Sequence, residues 1–169
     1  MVFYVAGTDT TSLFLRMIIY YIAKNPHVEV KLREEIENFM KYNDYSYENL
    51  KNFKYAQNII EETRRMYGPG VHLAPREAIK DNFLGGVPIK KGTMLNVSVF
   101  ANHYNPEYFK DPFVFRPERW DTECDNVPAF AIGGFSGGAR SCIGKHLALM
   151  EAKIGLIKFF KRYRDIVVP

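Results

Sequence analysis

Cysteine is nearly missing: Cys124 and Cys142 are the only two in 169 residues, 18 positions apart, with no Cys-x-x-Cys spacing. Such a pair suggests neither a disulfide framework nor a zinc site, and Cys124 is read as a bystander. Long unbroken apolar runs are lacking as well. The most apolar stretch, Val2 to Ala23, is interrupted by Gly7-Thr-Asp-Thr-Thr-Ser12 and by Arg16, which a membrane span tolerates poorly, and no secretory leader fits the start. No targeting or transmembrane segment is therefore read in this chain. Charge excess is small too: a formal +4, from scattered lysines and arginines, gives nucleic-acid binding little support. Neither repeats nor low-complexity segments occur.

What is present is apolar and aromatic material, 47% and 15% of residues, enough for one sizeable core in one domain. Residues 2–24 predict a helix that stops before Asn25-Pro26, because a proline disfavours the helical conformation of the residue before it. Pro26 opens a second helix to about Lys41, with Val28, Leu32, Ile36 and Phe39 at three- or four-residue spacing. Ser46 can cap a short turn through Leu50, and Phe53 to Tyr67 is helical again. Gly68-Pro69-Gly70 ends that helix. The pattern then changes to short β segments around 71–79, 83–89 and 94–99, with turns at Gly85-Gly86 and Lys91-Gly92. Residues 101–130, punctuated by Pro106, Pro112, Pro117 and Pro128, predict an ordered meander of short turns. A last helix over about 143–163 is expected to bury Leu147, Met150, Ile154 and Ile157. The fold class is mainly α with small β-sheets.

The densest motif is Phe135-Ser-Gly-Gly-Ala-Arg-Ser-Cys-Ile-Gly144. Gly137 and Gly138 let the backbone turn where side chains would clash. The helix after the loop aims its free amides and positive dipole end at the Cys142 sulfur, which favours the thiolate, the form that ligates metals. The pattern Phe-x-x-Gly-x-Arg-x-Cys-x-Gly resembles the signature of cytochrome P450 monooxygenases. By that resemblance Cys142 is the axial ligand of haem iron, a donor whose electron push favours O–O cleavage. Phe135 and Gly144 would belong to the haem-binding loop. Arg140 would meet a haem propionate, and Arg76, on the strand after the 53–67 helix, a second one.

Two further segments match the same family. Ala6-Gly-Thr-Asp-Thr-Thr11 places small and hydroxyl-bearing residues inside an otherwise apolar helix, at a cost in propensity and packing that points to a site. It resembles the family's (Ala/Gly)-Gly-x-(Asp/Glu)-Thr-(Thr/Ser) segment, and the resemblance gives Asp9 and Thr10 the acid and the alcohol of a proton relay for oxygen activation. Glu62-Thr-Arg-Arg65 sets a carboxylate and a guanidinium on one helical face. It matches the family's Glu-x-x-Arg helix, and Phe115-Arg-Pro-Glu-Arg-Trp120 matches the segment whose arginine joins that pair. Glu62, Arg65 and Arg119 would then form a structural triad that locks the meander and shapes the cysteine pocket. Glu61 and Arg64 are a competing register, excluded by the family pattern and not by physics.

Gly68 stands where the family usually has proline, and Trp120 where it has phenylalanine, which bears on local rigidity. His103 reads as a turn residue and His146 as solvent-facing, while Val71, His72 and Leu73 occupy a segment that in the family faces substrate.

The resemblance implies monooxygenation of an apolar small molecule by dioxygen on haem b (iron protoporphyrin IX). Electrons would come from NADPH through a flavoprotein reductase or ferredoxin, and no nucleic acid is implied. It covers the carboxyl-terminal part of the family's usual length. Residues 1–169 are thus expected to be a single partial domain, inactive in isolation, with membrane attachment only through an amino-terminal segment outside it. The endoplasmic reticulum membrane is the location this implies for the full-length protein. The alternatives are a haem-thiolate isomerase, dehydratase or peroxygenase, which often lack the acid–alcohol pair, and a non-catalytic haem-binding fragment.

Overall fold

A computed structural model of the chain describes residues 2–39, 45–70 and 73–168. Helices α1 (Val2–Lys24) and α2 (Pro26–Phe39) meet at Asn25. Its side-chain amide donates to Tyr21 O at 2.7 Å and its backbone N–H to Ile22 O at 2.9 Å. That closes α1, while Pro26, which has no N–H to leave unpaired, starts α2. Helix α3 (Tyr47–Leu50) is capped by Ser46, whose Oγ accepts from Asn49 N at 3.3 Å.

Helix α4 (Lys54–Tyr67) has Phe53 as its N-cap and no local side-chain cap. A remote carboxylate serves instead: Glu35 of α2 accepts from Tyr55 N at 2.7 Å and Ala56 N at 2.8 Å. Helix α7 (Lys145–Arg162) ends against α2 in a similar way, Arg33 donating to Phe160 O and, at 2.7 Å, to Tyr163 O.

Helices α1, α2, α4 and α7 pack together. Helical spacing explains what they bury: Phe14, Ile18 and Ile22 from α1, Val28, Leu32 and Ile36 from α2, Ile59 and Ile60 from α4, Leu156, Ile157 and Phe160 from α7. Each such side chain contributes roughly 1.5–3 kcal/mol by leaving water. Where α1 crosses α7 the approach is close, since a Cβ on Gly155 would lie 3.0 Å from Leu15 Cδ2.

The stripe expected on α7 is only half buried. Leu147 is 63% and Met150 37% exposed, and the buried residues of α7 begin at Ala152. Ile157 of the expected stripe is fully buried and Ile154 packs against the core, so the stripe holds in the later turns of α7 and fails in the first ones, ahead of the close approach of α1 at Gly155.

The β segments are also shorter than expected. β1 (Arg76–Glu77) pairs antiparallel with β4 (Met94–Leu95), and β2 (Asn82–Leu84) with β3 (Val87–Ile89). The apolar run 83–89 is thus a hairpin, because Gly85 and Gly86 take φ of +56° and +81° between its two arms, the pair of left-handed positions a two-residue turn requires. Most side chains of these strands are exposed, so little packing extends them.

The meander comprises α5 (Val99–His103), α6 (Arg119–Thr122) and 3-10 turns at Glu123–Asn126 and Ala129–Ile132. Leu73 is half-buried and its N–H donates to Val97 O at 3.1 Å, while Val71 and His72 lie outside the described residues.

Candidate functional site: the Cys142 cleft and its support

The meander's own backbone bonds are short-range turns, such as Phe109 N to Asn105 O and Val114 N to Asp111 O, and the carbonyls of His103, Lys110, Pro112 and Val114 take donors from elsewhere. Two buried arginines provide them. Arg65 Nη1 donates to His103 O and Pro112 O at 2.8 and 2.7 Å. Arg119 donates to Lys110 O at 2.8 Å through Nη1 and to Val114 O at 3.1 Å through Nη2.

Both guanidiniums converge on Glu62. Its Oε1 accepts from Arg65 Nη2, Arg119 Nε and Arg116 N at 2.8, 2.9 and 3.0 Å; its Oε2 accepts from Arg65 Nε and Trp120 Nε1, each at 3.0 Å. Glu62 and Arg65 are fully buried and Arg119 is 1% exposed, which is tolerable only because each charge is paired and hydrogen-bonded. Beside this hub, burial and the charge of Arg64 push His103 down from 6.5 to about 4. Its Nε2 has no partner among the described residues. His103 is therefore a core residue at the end of α5 and not an open turn.

The Cys142 loop is built differently. Cys142 N donates to Phe135 O at 2.8 Å, closing the loop at its neck, and Ser141 N donates to Gly138 O at 3.1 Å across a 3-10 turn at Gly138–Arg140. Gly138 has φ +69° and Ser136 φ +61°. At Gly137 a Cβ would come 2.7 Å from the Phe130 ring. Helix α7 starts at Lys145, two residues later than expected, with Lys145 N only 3.4 Å from Cys142 O. The Cys142 thiol is free and the residue exposed.

Opposite it runs α1. Thr10 Oγ1 donates to Ala6 O at 2.6 Å, and Ser12 Oγ to Asp9 O at 3.1 Å. Thr10, Phe14, Arg64, Phe135, Cys142 and Ala148 line one cleft.

The whole chain, residues 1–169, matches the family model described as Cytochrome P450. The chain belongs to the cytochrome P450 family. It is 38% identical over 168 residues to "Putative cytochrome P450 CYP13A10" of Caenorhabditis elegans, covering 96% of this chain and 32% of that protein. It is 34% identical over 168 residues to "Cyclooctat-9-en-7-ol 5-monooxygenase" of Streptomyces melanosporofaciens, covering 99% and 36%. Against "Cytochrome P450 3A19" of Capra hircus aegagrus it is 35% identical over 167 residues, covering 98% and 76%. The chain spans about a third of the length of most curated cytochrome P450 relatives it matches.

Among the residues singled out from sequence, Thr10, Phe135 and Cys142 share the cleft. Asp9 is exposed on α1, one residue from Thr10. Gly144 is the N-cap of α7, where an added Cβ would lie 3.9 Å from Cys142 Sγ. Arg140 and Arg76 are exposed and make no ion pair among the described residues.

Two contributors escaped sequence reasoning. Trp120 hydrogen-bonds Glu62, which the phenylalanine usual in cytochromes P450 cannot do. Arg64 reaches the cleft, and its i, i+3 spacing to Glu61 was the available signal. Gly68 also has a local cause: a Cβ there, proline's included, would come 2.7 Å from Arg64 O.

The donor set fits a haem. No three His, Cys, Asp or Glu side chains converge among the described residues, and a single thiol suits a metal whose remaining donors come with its macrocycle. Phe14, Pro69, Phe135 and Ala148 give the cleft apolar walls.

Proposed function

We propose that the full-length protein is a haem-thiolate monooxygenase that inserts one oxygen atom of dioxygen into an apolar organic substrate, with Cys142 as the protein's ligand to haem iron. The observation that carries this reading is the shared cleft: a free thiol on the Phe135–Gly144 loop and a hydroxyl from α1, 132 positions earlier in the chain, line the same mostly apolar space. Bound haem b would supply the oxygen-activating redox chemistry. Electrons would arrive from NADPH through a flavoprotein reductase or ferredoxin.

This chain's residues bind, orient and move protons. The Phe135 carbonyl holds the Cys142 amide and sets the direction of the thiolate. Thr10 Oγ1 directs its hydrogen to Ala6 O and keeps its lone pairs for the cleft, so rotation of the hydroxyl exchanges donor for acceptor at one atom. Asp9, exposed beside it, provides a carboxylate in contact with solvent from which that hydroxyl is resupplied. Arg140 and Arg76 carry exposed guanidiniums suited to the two haem propionates. The Glu62, Arg65 and Arg119 triad holds the meander, a role that is structural. No described helix is long and apolar enough to cross a membrane. Residence at the endoplasmic reticulum membrane would therefore depend on a segment outside these residues.

The paired cysteine test decides the ligand. In the full-length protein Cys142→Ser abolishes the red-shifted carbon-monoxide band of thiolate-ligated ferrous haem, because a serine hydroxyl stays largely protonated and is a harder donor. Cys124→Ser preserves it, since burial pushes the Cys124 thiol up to about 11 and keeps it inert. Survival of the band in the Cys142 variant would end the proposal.

A further inference from the structure

Arg64 joins α4 to the segment that leads into the Cys142 loop. Its Nη1 donates to Ile132 O and to Gly133 O, both at 2.9 Å. The other edge of the same guanidinium is held by Glu61 Oε2, at 2.9 Å from Nε and also through Nη2. The guanidinium carbon lies 5.8 Å from the centroid of the Phe135 ring, and Phe135 O is the acceptor for Cys142 N.

The Gly134 backbone lies within contact distance of this fork, and the tighter approach is between Gly70 and Gly134. A Cβ on Gly134, itself at φ +96°, would lie 3.9 Å from Arg64 Nη1, and one on Gly70 would lie 3.2 Å from Gly134 O. An exposed Glu–Arg pair of this spacing would contribute little. Here the side chains are only 14% and 19% exposed, and the planar fork binds a carboxylate on one edge and two carbonyls on the other, which a lysine ammonium cannot reproduce.

We propose that Arg64, oriented by Glu61, is a positioning residue for Cys142: it anchors Ile132 and Gly133 and braces Phe135, and so fixes the angle at which the thiol meets the cleft. The consequence for ligation rests on the haem-thiolate reading proposed for the full-length protein, whereas the anchoring of the loop does not.

The test uses the full-length, haem-loaded protein with Arg64→Leu, Arg64→Lys and Glu61→Gln, and reads two quantities. Amide hydrogen exchange across 132–142 should accelerate about tenfold or more in Arg64→Leu, the loss of two charge-assisted bonds, with exchange in α1, α2 and the C-terminal half of α7 unchanged. Arg64→Lys and Glu61→Gln should fall between. In parallel, the ferrous carbon-monoxide complex should pass from its thiolate form to the thiolate-free form faster in the same rank order under mild denaturant.

If exchange across 132–142 in Arg64→Leu equals that of the unmodified protein while the thiolate band is present, the role of Arg64 is overturned and the haem-thiolate reading stands. If exchange accelerates but even the unmodified protein shows no thiolate band, the anchoring stands and the haem-thiolate reading falls. Should Arg64→Leu fail to accumulate, Arg64→Lys carries the same comparison at smaller amplitude, and its identity with the unmodified protein in both readouts overturns the proposal.

Discussion

The Glu62 hub and the Cys142 loop are both tied to α4 and obey opposite rules. Around Glu62, charges are fully buried and the carboxylate accepts five hydrogen bonds from Arg65, Arg116, Arg119 and Trp120. Around Cys142, the thiol is free, Arg140 is exposed, and Ile143 and Phe130 are 85% and 84% exposed. In the first region the buried carboxylate and both guanidiniums are paired within the protein, an arrangement that holds shape. The second keeps donors and apolar surface available, which chemistry on an external group demands. Two adjacent Glu/Arg pairs on one helix reach different stretches: Glu62–Arg65 the meander around His103 to Val114, Glu61–Arg64 its end at Ile132 and Gly133, just before the loop.

The sharpest way to break this contrast is Glu62→Ala. Two buried guanidiniums would lose their shared carboxylate, and the full-length protein should lose about 3–5 kcal/mol of stability, measured by denaturant unfolding. A loss below about 1 kcal/mol would mean that the hub does not carry the meander.

The next effect is acid lability. The folded-state value of His103 is depressed from 6.5 to about 4 by burial first and by Arg64 second. The neutral ring is therefore the folded form, and its contribution is complete above pH 6.5 and lost as pH falls toward 4. The drop should reach about 3 kcal/mol, and His103→Gln should flatten the stability profile in that window. An unaltered slope in the variant would assign the acid lability to other groups.

Smaller still is Trp120→Phe, which removes one bond to a charged acceptor and should cost about 1–2 kcal/mol while leaving the carbon-monoxide band in place. A variant as stable as the parent would show that Glu62 is saturated without the indole.

On the Cys142 side, Thr10→Ala should alter stability by less than about 1 kcal/mol, since the hydroxyl only back-bonds to Ala6 O on an exposed helix face. Product formed per electron consumed should fall instead. Unchanged coupling removes Thr10 from the relay.

By itself the sequence determined the features that spacing and backbone chemistry dictate. The helix break at Asn25-Pro26 was legible because proline constrains its predecessor, and so was the exit at Gly68. The mainly helical class with small sheets was legible from periodicity, and membership of the cytochrome P450 family from the Phe135–Gly144 motif.

Other features were decided only by tertiary structure, because a helical period tells which residues share a face and not which neighbour covers it. Leu147 and Met150 are apolar and share spacing with the buried Ile157, yet no neighbour among the described residues covers them in the first turns of α7. Glu61–Arg64 and Glu62–Arg65 are equivalent i, i+3 pairs on an isolated helix, and only the folded chain gives one pair the meander's carbonyls and the other Ile132 and Gly133. The cap of α4 comes from Glu35 on another helix, and Trp120 meets Glu62 across 58 positions of chain. Each of these is a partner chosen by proximity in space, which local propensity does not encode.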